Sequence, residues 1–263
     1  MFEKSFLPLL LVTLLCISCD TKKVQSAEDF NRQEIDSVYS LIALGRDMDL
    51  NPRERNSYLE KAWALADTIE NDSLKTKVFS RLSLAYLRLP DSLKFRKTNR
   101  ETRELALKAD DSIVLAEAHW DLAEFYKNES VADSSYYHFS QAKNLYEALD
   151  MENETGTMLN NMAIVQEDIK DYTGSEITTI QAIEILKPLK NYVQLFHSYN
   201  NQGAVTANLK EYERSLEYYQ EALEYQEKIP FENNLDLYIK NNIGVVYQER
   251  GQYRESIPYF QEI

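Results

Sequence analysis

The sequence predicts an all-α chain, an α-solenoid of antiparallel helix hairpins with about six repeats of ~40 residues. Three observations lead there. A short pattern recurs as Asn160-Asn161-Met162-Ala163, Asn200-Asn201-Gln202-Gly203 and Asn241-Asn242-Ile243-Gly244, at spacings of 40 and 41. Stepping back by 40 from Ala163 places Ala123, Ser83 and Ala43 in the same register, each preceded by an apolar residue (Leu122, Leu82, Ile42). Composition agrees, since 263 residues contain only 6 Gly and 6 Pro, and helix-forming side chains dominate. No segment alternates with period 2 between hairpin turns, so no sheet is expected.

The N-terminal element, residues 1–18, reads as a signal peptide. Lys4 supplies a thin positive start, and residues 6–15 form an apolar run too short to span a bilayer. The run ends in Cys16-Ile17-Ser18-Cys19. This resembles a bacterial lipobox, in which a small residue precedes a cysteine that is lipidated and becomes the new N-terminus. Cys16 departs from the Leu usual there, and Cys16-x-Ser18 also suits ordinary signal peptidase; either cut leaves Cys19 first. Residues 19–29 are polar and read as a tether. Both cysteines of the chain lie at or before the cut, so the mature body holds no internal disulfide and relies on packing.

Residues 30–263 form the repeat array. The second half of each repeat is also in phase, with Ala62, Thr102, Ala142, Ala182, Ala222 and Ile263 following the small residues by 19. Seven residues earlier stand Arg55, Phe95, Ser135, Ser175, Ser215 and Ser256. Tyr212, Ser215, Leu216, Tyr219, Ala222 and Leu223 make one apolar helical stripe, with Glu213, Arg214, Glu217 and Gln220 opposite. The second repeat is least regular, with Pro90 in an awkward stretch over 89–97. In the last, Pro258 falls inside the predicted helix, and the sequence stops at Ile263 before that helix completes. The expectation is therefore a truncated final repeat continued in a longer protein.

Residues 212–223 (Y-x-x-S-L-x-Y-Y-x-x-A-L) resemble the second helix of a tetratricopeptide repeat, and residues 241–253 (N-N-I-G-V-V-Y-Q-E-R-G-Q-Y) its first helix and turn. The resemblance covers roughly 30–263 and is strongest from 115 onward. It implies a right-handed superhelix of helix pairs that binds a protein or peptide in a groove lined by the first helices. Placed in register, the groove candidates are Trp120 in the third repeat and Asn160 and Asn161 in the fourth. His197, Asn200, Asn201 and Asn208 follow in the fifth, and Tyr238, Asn241 and Asn242 in the sixth. Carboxamides at a 40-residue spacing could hydrogen-bond an extended peptide backbone; the plainer alternative is that they bond neighbouring helices. The cationic residues with which some relatives clamp acidic peptide ends are absent, since Thr157, His197 and Tyr238 stand there.

The chemistry of an enzyme is not legible. His119, His138 and His197 lack metal-ligand spacing, no nucleotide-binding or hydrolase motif occurs, and Trp63 and Trp120 read as packing residues. Net charge is −14 and unchanged by removal of the leader, where Glu3 and Lys4 cancel. This argues against nucleic acid and anionic lipid, and for neutral or basic partners over acidic ones. The reading is a protein- or peptide-binding scaffold, exported to the periplasm or cell envelope, membrane-bound through its N-terminal lipid only, with no cofactor, metal or catalysis. Its rival is the extracytoplasmic sensor region of a longer signalling protein, such as a histidine kinase or helix-turn-helix regulator.

Overall fold

A computed structural model describes residues 35–230 and 235–261. Those residues form helices joined by short turns, with no strand among them. Cys19, the leader and the tether lie outside the described residues. The chain divides into two compact units after Glu101.

The first unit holds α1 (35–46), α2 (Pro52–Asp67), α3 (Asp72–Leu87) and the start of α4 (Ser92–Lys108). Its helices α2, α3 and α4 begin on side-chain caps. The Asn51 carboxamide accepts from the backbone N–H of Arg53 and Glu54, with Pro52 next in line, and Asn71 accepts from Leu74. Such caps satisfy the free amides of a first helical turn. The awkward stretch at 89–97 divides into the turn between α3 and α4, which holds Pro90, and the start of α4 from Ser92.

Here the expected register needs one correction. Ala43 is exposed, and the small buried residue of α1 is Gly45. A Cβ at Gly45 would lie 2.2 Å from the Leu59 side chain, and the Arg55 guanidinium donates from Nε to the Gly45 carbonyl at 3.1 Å. The second helix keeps its register, with Ala62 fully buried, while the first slips by two residues. In the next hairpin the register holds. Ser83 is fully buried and its hydroxyl accepts from the Asn99 carboxamide of α4 at 3.3 Å.

The second unit contains the end of α4, then α5 (Ser112–Asn128), α6 (Ala132–Ala148), α7 (Glu152–Asp168), α8 (Tyr172–Leu189), α9 (Tyr192–Asn208), α10 (Tyr212–Gln226), α11 (Leu235–Glu249) and α12 (Tyr253–Gln261). From α5 onward each helix packs on the next, and α7 also packs on α9 across the intervening helix. Pro188 and Pro258 both lie within helices, in the last turn of α8 and inside α12.

A shorter period underlies the expected one. Asp110, Ser130, Asp150, Lys170, Lys190 and Lys210 all adopt left-handed φ, between 54° and 65°, at every twentieth position. In each turn the following amide reaches back five residues. Val131 donates to the Tyr126 carbonyl at 2.8 Å, Met151 to Tyr146 at 2.9 Å, and Glu211 to Thr206 at 2.9 Å. This closes the helix C-terminus and starts the next helix at once. Turns within and between repeats are therefore the same turn. The series is broken once, at the α10–α11 connection, and resumes at Gly251, one position later than two further steps from Lys210 would bring it. That connection accounts for the spacing of 41 between the last two small residues, Gly203 and Gly244.

Two contacts recur in these hairpins. A serine twelve residues after the small residue donates its hydroxyl to that residue's carbonyl: Ser135 to Ala123 at 3.0 Å, Ser175 to Ala163 at 2.8 Å, and Ser215 to Gly203 at 2.7 Å. Ser256 instead bonds the Tyr253 carbonyl of its own helix. Four residues beyond the serine a larger side chain lies against the small one. A Cβ at Gly203 would meet the Tyr219 ring at 2.5 Å, and one at Gly244 would meet Phe260 at 2.7 Å. Glycine there permits the close approach of ring and backbone.

Candidate functional site

The first helices α5, α7, α9 and α11 carry the groove candidates, and the structure divides those residues into two kinds. Asn160 is buried at 2 % exposure. Its amide donates to the Gln194 carbonyl and side-chain oxygen, both at 3.1 Å, and its own oxygen accepts from the Ser198 hydroxyl at 2.8 Å. The group is spent on joining α7 to α9. Asn200 is likewise buried, and its oxygen accepts from the Asn242 amide at 3.1 Å, joining α9 to α11. Buried Asn160 and Asn200 and half-buried Asn242 thus bond between neighbouring first helices, the plainer of the two alternatives for these amides.

Asn201 is buried, and its Nδ2 has no hydrogen-bond partner. Asn208 is exposed but engaged, donating to the Ala204 carbonyl at 3.0 Å and to Glu167 at 3.3 Å. Burial, and then the neighbouring Asp168, push the Glu167 carboxyl above its usual range. Trp120 is half-buried and packs against a cluster containing Phe139, Met158 and Met162. Asn161 is half-buried, Asn241 exposed, His197 exposed with its ring against Phe196, and Tyr238 is 57 % exposed.

Position relative to the small residue sorts these groups. Six residues before it stand Glu117, Thr157, His197 and Tyr238; Thr157 is half-buried and the other three are exposed. Equivalent positions on stacked, equivalent helices fall in a row. This row holds the predicted His197 and Tyr238, and of the other predicted residues Asn241 and the engaged Asn208 are exposed and Asn161 half-buried.

Sequence reasoning missed one pair. His119 of α5 and His138 of α6 meet with their Nδ1 atoms 2.9 Å apart, and the His138 ring stacks on Tyr126 at 5.6 Å. Burial first, then Arg103 and for His119 also the facing imidazole, push both rings down to about 4. A signal for this contact existed. The two lie four residues before and fifteen after Ala123, and the same positions around Gly203 hold Tyr199 and Tyr218, whose rings also meet, at 6.4 Å. Tyr199 further stacks on Tyr225 at 5.2 Å, and its hydroxyl is pushed up to about 12, chiefly by burial. Among the described residues no group of three or more His, Cys, Asp or Glu is arranged to hold a metal ion.

Residues 194–263 match the sequence model of the tetratricopeptide repeat. No curated protein matches the chain. Solved structures share its fold at low sequence identity. BtubC (BKLC) from P. vanneervenii is 17 % identical with a TM-score of 0.65, over 88 % of this chain and 89 % of that one. Aspartyl phosphate phosphatase F from Bacillus subtilis is 15 % identical with a TM-score of 0.68, over 97 % and 74 %. A Rap protein complexed with competence and sporulation factor is 14 % identical with a TM-score of 0.51, over 89 % and 75 %. These likenesses establish an all-α, tetratricopeptide-like repeat fold.

Proposed function

We propose that the chain is a protein- or peptide-binding repeat scaffold, exported, held to a membrane by a lipid on Cys19, and without catalysis of its own. The observation that carries the binding role is the row Glu117, Thr157, His197 and Tyr238 on successive first helices, exposed at all but the half-buried Thr157, whose hydroxyl donates to the Asn153 carbonyl. It offers a carboxylate, a hydroxyl, an imidazole and a phenol in fixed order, a pattern suited to reading side chains. The buried Asn160 and Asn200 hold those helices in place behind it. The fold likeness to a Rap protein complexed with competence and sporulation factor supports a bound macromolecular or peptide ligand as the kind of use. A net charge of −14 favours neutral or basic partners and disfavours nucleic acid. The lipid anchor rests on residues 6–19, and no described helix is long and apolar enough to cross a membrane.

Panning a random displayed-peptide library on the purified chain, then titrating the tightest peptide, tests the face. His197→Ala with Tyr238→Ala is expected to weaken binding at least tenfold, about 1.4 kcal/mol, at unchanged melting temperature. Asn160→Ala is expected to lower the melting temperature while the folded fraction keeps its affinity. Unchanged affinity in the double variant overturns the reading. For the anchor, Cys19→Ala should move the protein from the membrane pellet to the soluble fraction; a wild type already soluble refutes it.

A further inference from the structure

Away from the first-helix row, the first unit carries a cleft of about 200 Å³ between its second helices. Glu60 and Trp63 of α2, Tyr86 of α3, and Lys94, Lys97 and Thr98 of α4 line it. The aromatic floor is built in. The Trp63 ring is fixed edge-on against Phe79, centroids 6.0 Å apart, and Tyr86 is buried at 2 % exposure.

The two lysines differ. Lys94 is paired with Glu60 and donates to the Asn56 side chain at 3.1 Å. That pairing holds the Glu60 carboxyl below its usual range and cancels both charges. Lys97 is exposed; its ammonium lies 4.5 Å from the Trp63 ring centroid, and no carboxylate among the described residues pairs with it. The lining therefore carries one uncompensated positive charge in a chain of net −14. An ammonium resting on an indole face keeps its outer side available for an anion.

We propose that this cleft binds a carboxylate attached to an aromatic ring, with the carboxylate on Lys97 and the ring against Trp63 and Tyr86. The volume sets the size. An engineered apolar cavity of ~150 Å³ accommodates benzene, so this cleft takes one ring and a short arm, below the ~300 Å³ of typical drug-sized pockets. Two sources share that chemistry, a free aromatic acid and the C-terminal residue of a peptide.

The chain's two tryptophans, Trp63 and Trp120, make the test direct. In a Trp120→Phe background, emission reports Trp63 alone. N-acetylphenylalanine is expected to change that emission saturably. Its uncharged amide should bind at least tenfold more weakly, and Lys97→Met should lose binding to the same extent while Lys97→Arg keeps it. A pentapeptide ending in free phenylalanine, compared with its amidated form, separates the sources. A peptide tighter than the free acid assigns the site to chain ends, and a weaker one to small acids. No saturable change up to ~10 mM, a ceiling equivalent to under 3 kcal/mol of binding, overturns the proposal. So does equal affinity for acid and amide, or an unaffected Lys97→Met variant whose circular dichroism and melting match the parent.

Discussion

Both units start helices on side-chain caps, Asn51 and Asn71 in the first and Asp111, Asp171 and Asn191 in the second, but they end helices by different means. In the first, no described residue takes a left-handed φ, and the caps alone mark where helices begin. In the second, helices stop on a left-handed residue at every twentieth position, and the backbone itself closes the turn. A side-chain cap fixes where one helix begins and leaves the connection free to vary, and the first hairpin uses that freedom to slip from Ala43 to Gly45. A backbone turn fixes helix end, connection and helix start together. From α5 to α9 each helix accordingly runs 17 or 18 residues. Regular spacing in this protein is a property of the turn more than of any one side chain.

The largest expected effect lies in the regular unit's packing. Phe139 is fully buried sixteen residues after Ala123, where the first unit has Asn99 after Ser83. Phe139→Ala should cost ~3–5 kcal/mol, read as a lower urea midpoint for the second unit. A loss below ~1 kcal/mol would mean the ring is not central to that hairpin.

Next comes acidity. All three histidines lie in the second unit, and His119 and His138 titrate at about 4 against 6.5 for a free imidazole. The unfolded chain takes up these protons first. The stability they contribute is whole above about 6.5 and is lost as pH falls towards 4. The loss is on the order of 3 kcal/mol for the coupled pair, discounted for the solvent that still reaches both rings. Urea titrations at pH 7 and 4.5 should show it, and His138→Gln should flatten the difference. Equal flattening by a change confined to the first unit would contradict the assignment.

Smaller is the serine clip. Ser215→Ala removes the bond to the Gly203 carbonyl and should cost ~1 kcal/mol, as should loss of the Asn71 cap in the first unit. The smallest change has the opposite sign. Lys210 holds a left-handed φ of 62°, so Lys210→Gly should stabilise by ~0.5–1 kcal/mol, while Gly251→Ala at φ 76° should destabilise. Neutral outcomes at both would mean these turns store no strain.

Much of this was legible beforehand. The 40-residue period, the all-helical hairpins and the in-phase serines follow from small residues and apolar stripes, which packing imposes directly on sequence. The half-period turn was hidden because Asp, Ser and Lys occupy the left-handed positions where glycine would have announced them. The asparagine series was visible, but its direction was not. Neighbouring helix positions differ by about 100°, and an offset of one residue decides whether an amide meets solvent or the next layer. The histidine pair required comparing hairpins position by position, since the sequence distance from His119 to His138 carries no ligand-like spacing of its own.

Turns at every twentieth position also make the second unit a ruler. If its hairpins yield one at a time under tension, each releases the same length of chain, roughly 40 residues or 130–145 Å when drawn out. A pulling trace should then show evenly spaced steps through α5 to α10 and one longer step where the α10–α11 connection breaks the count.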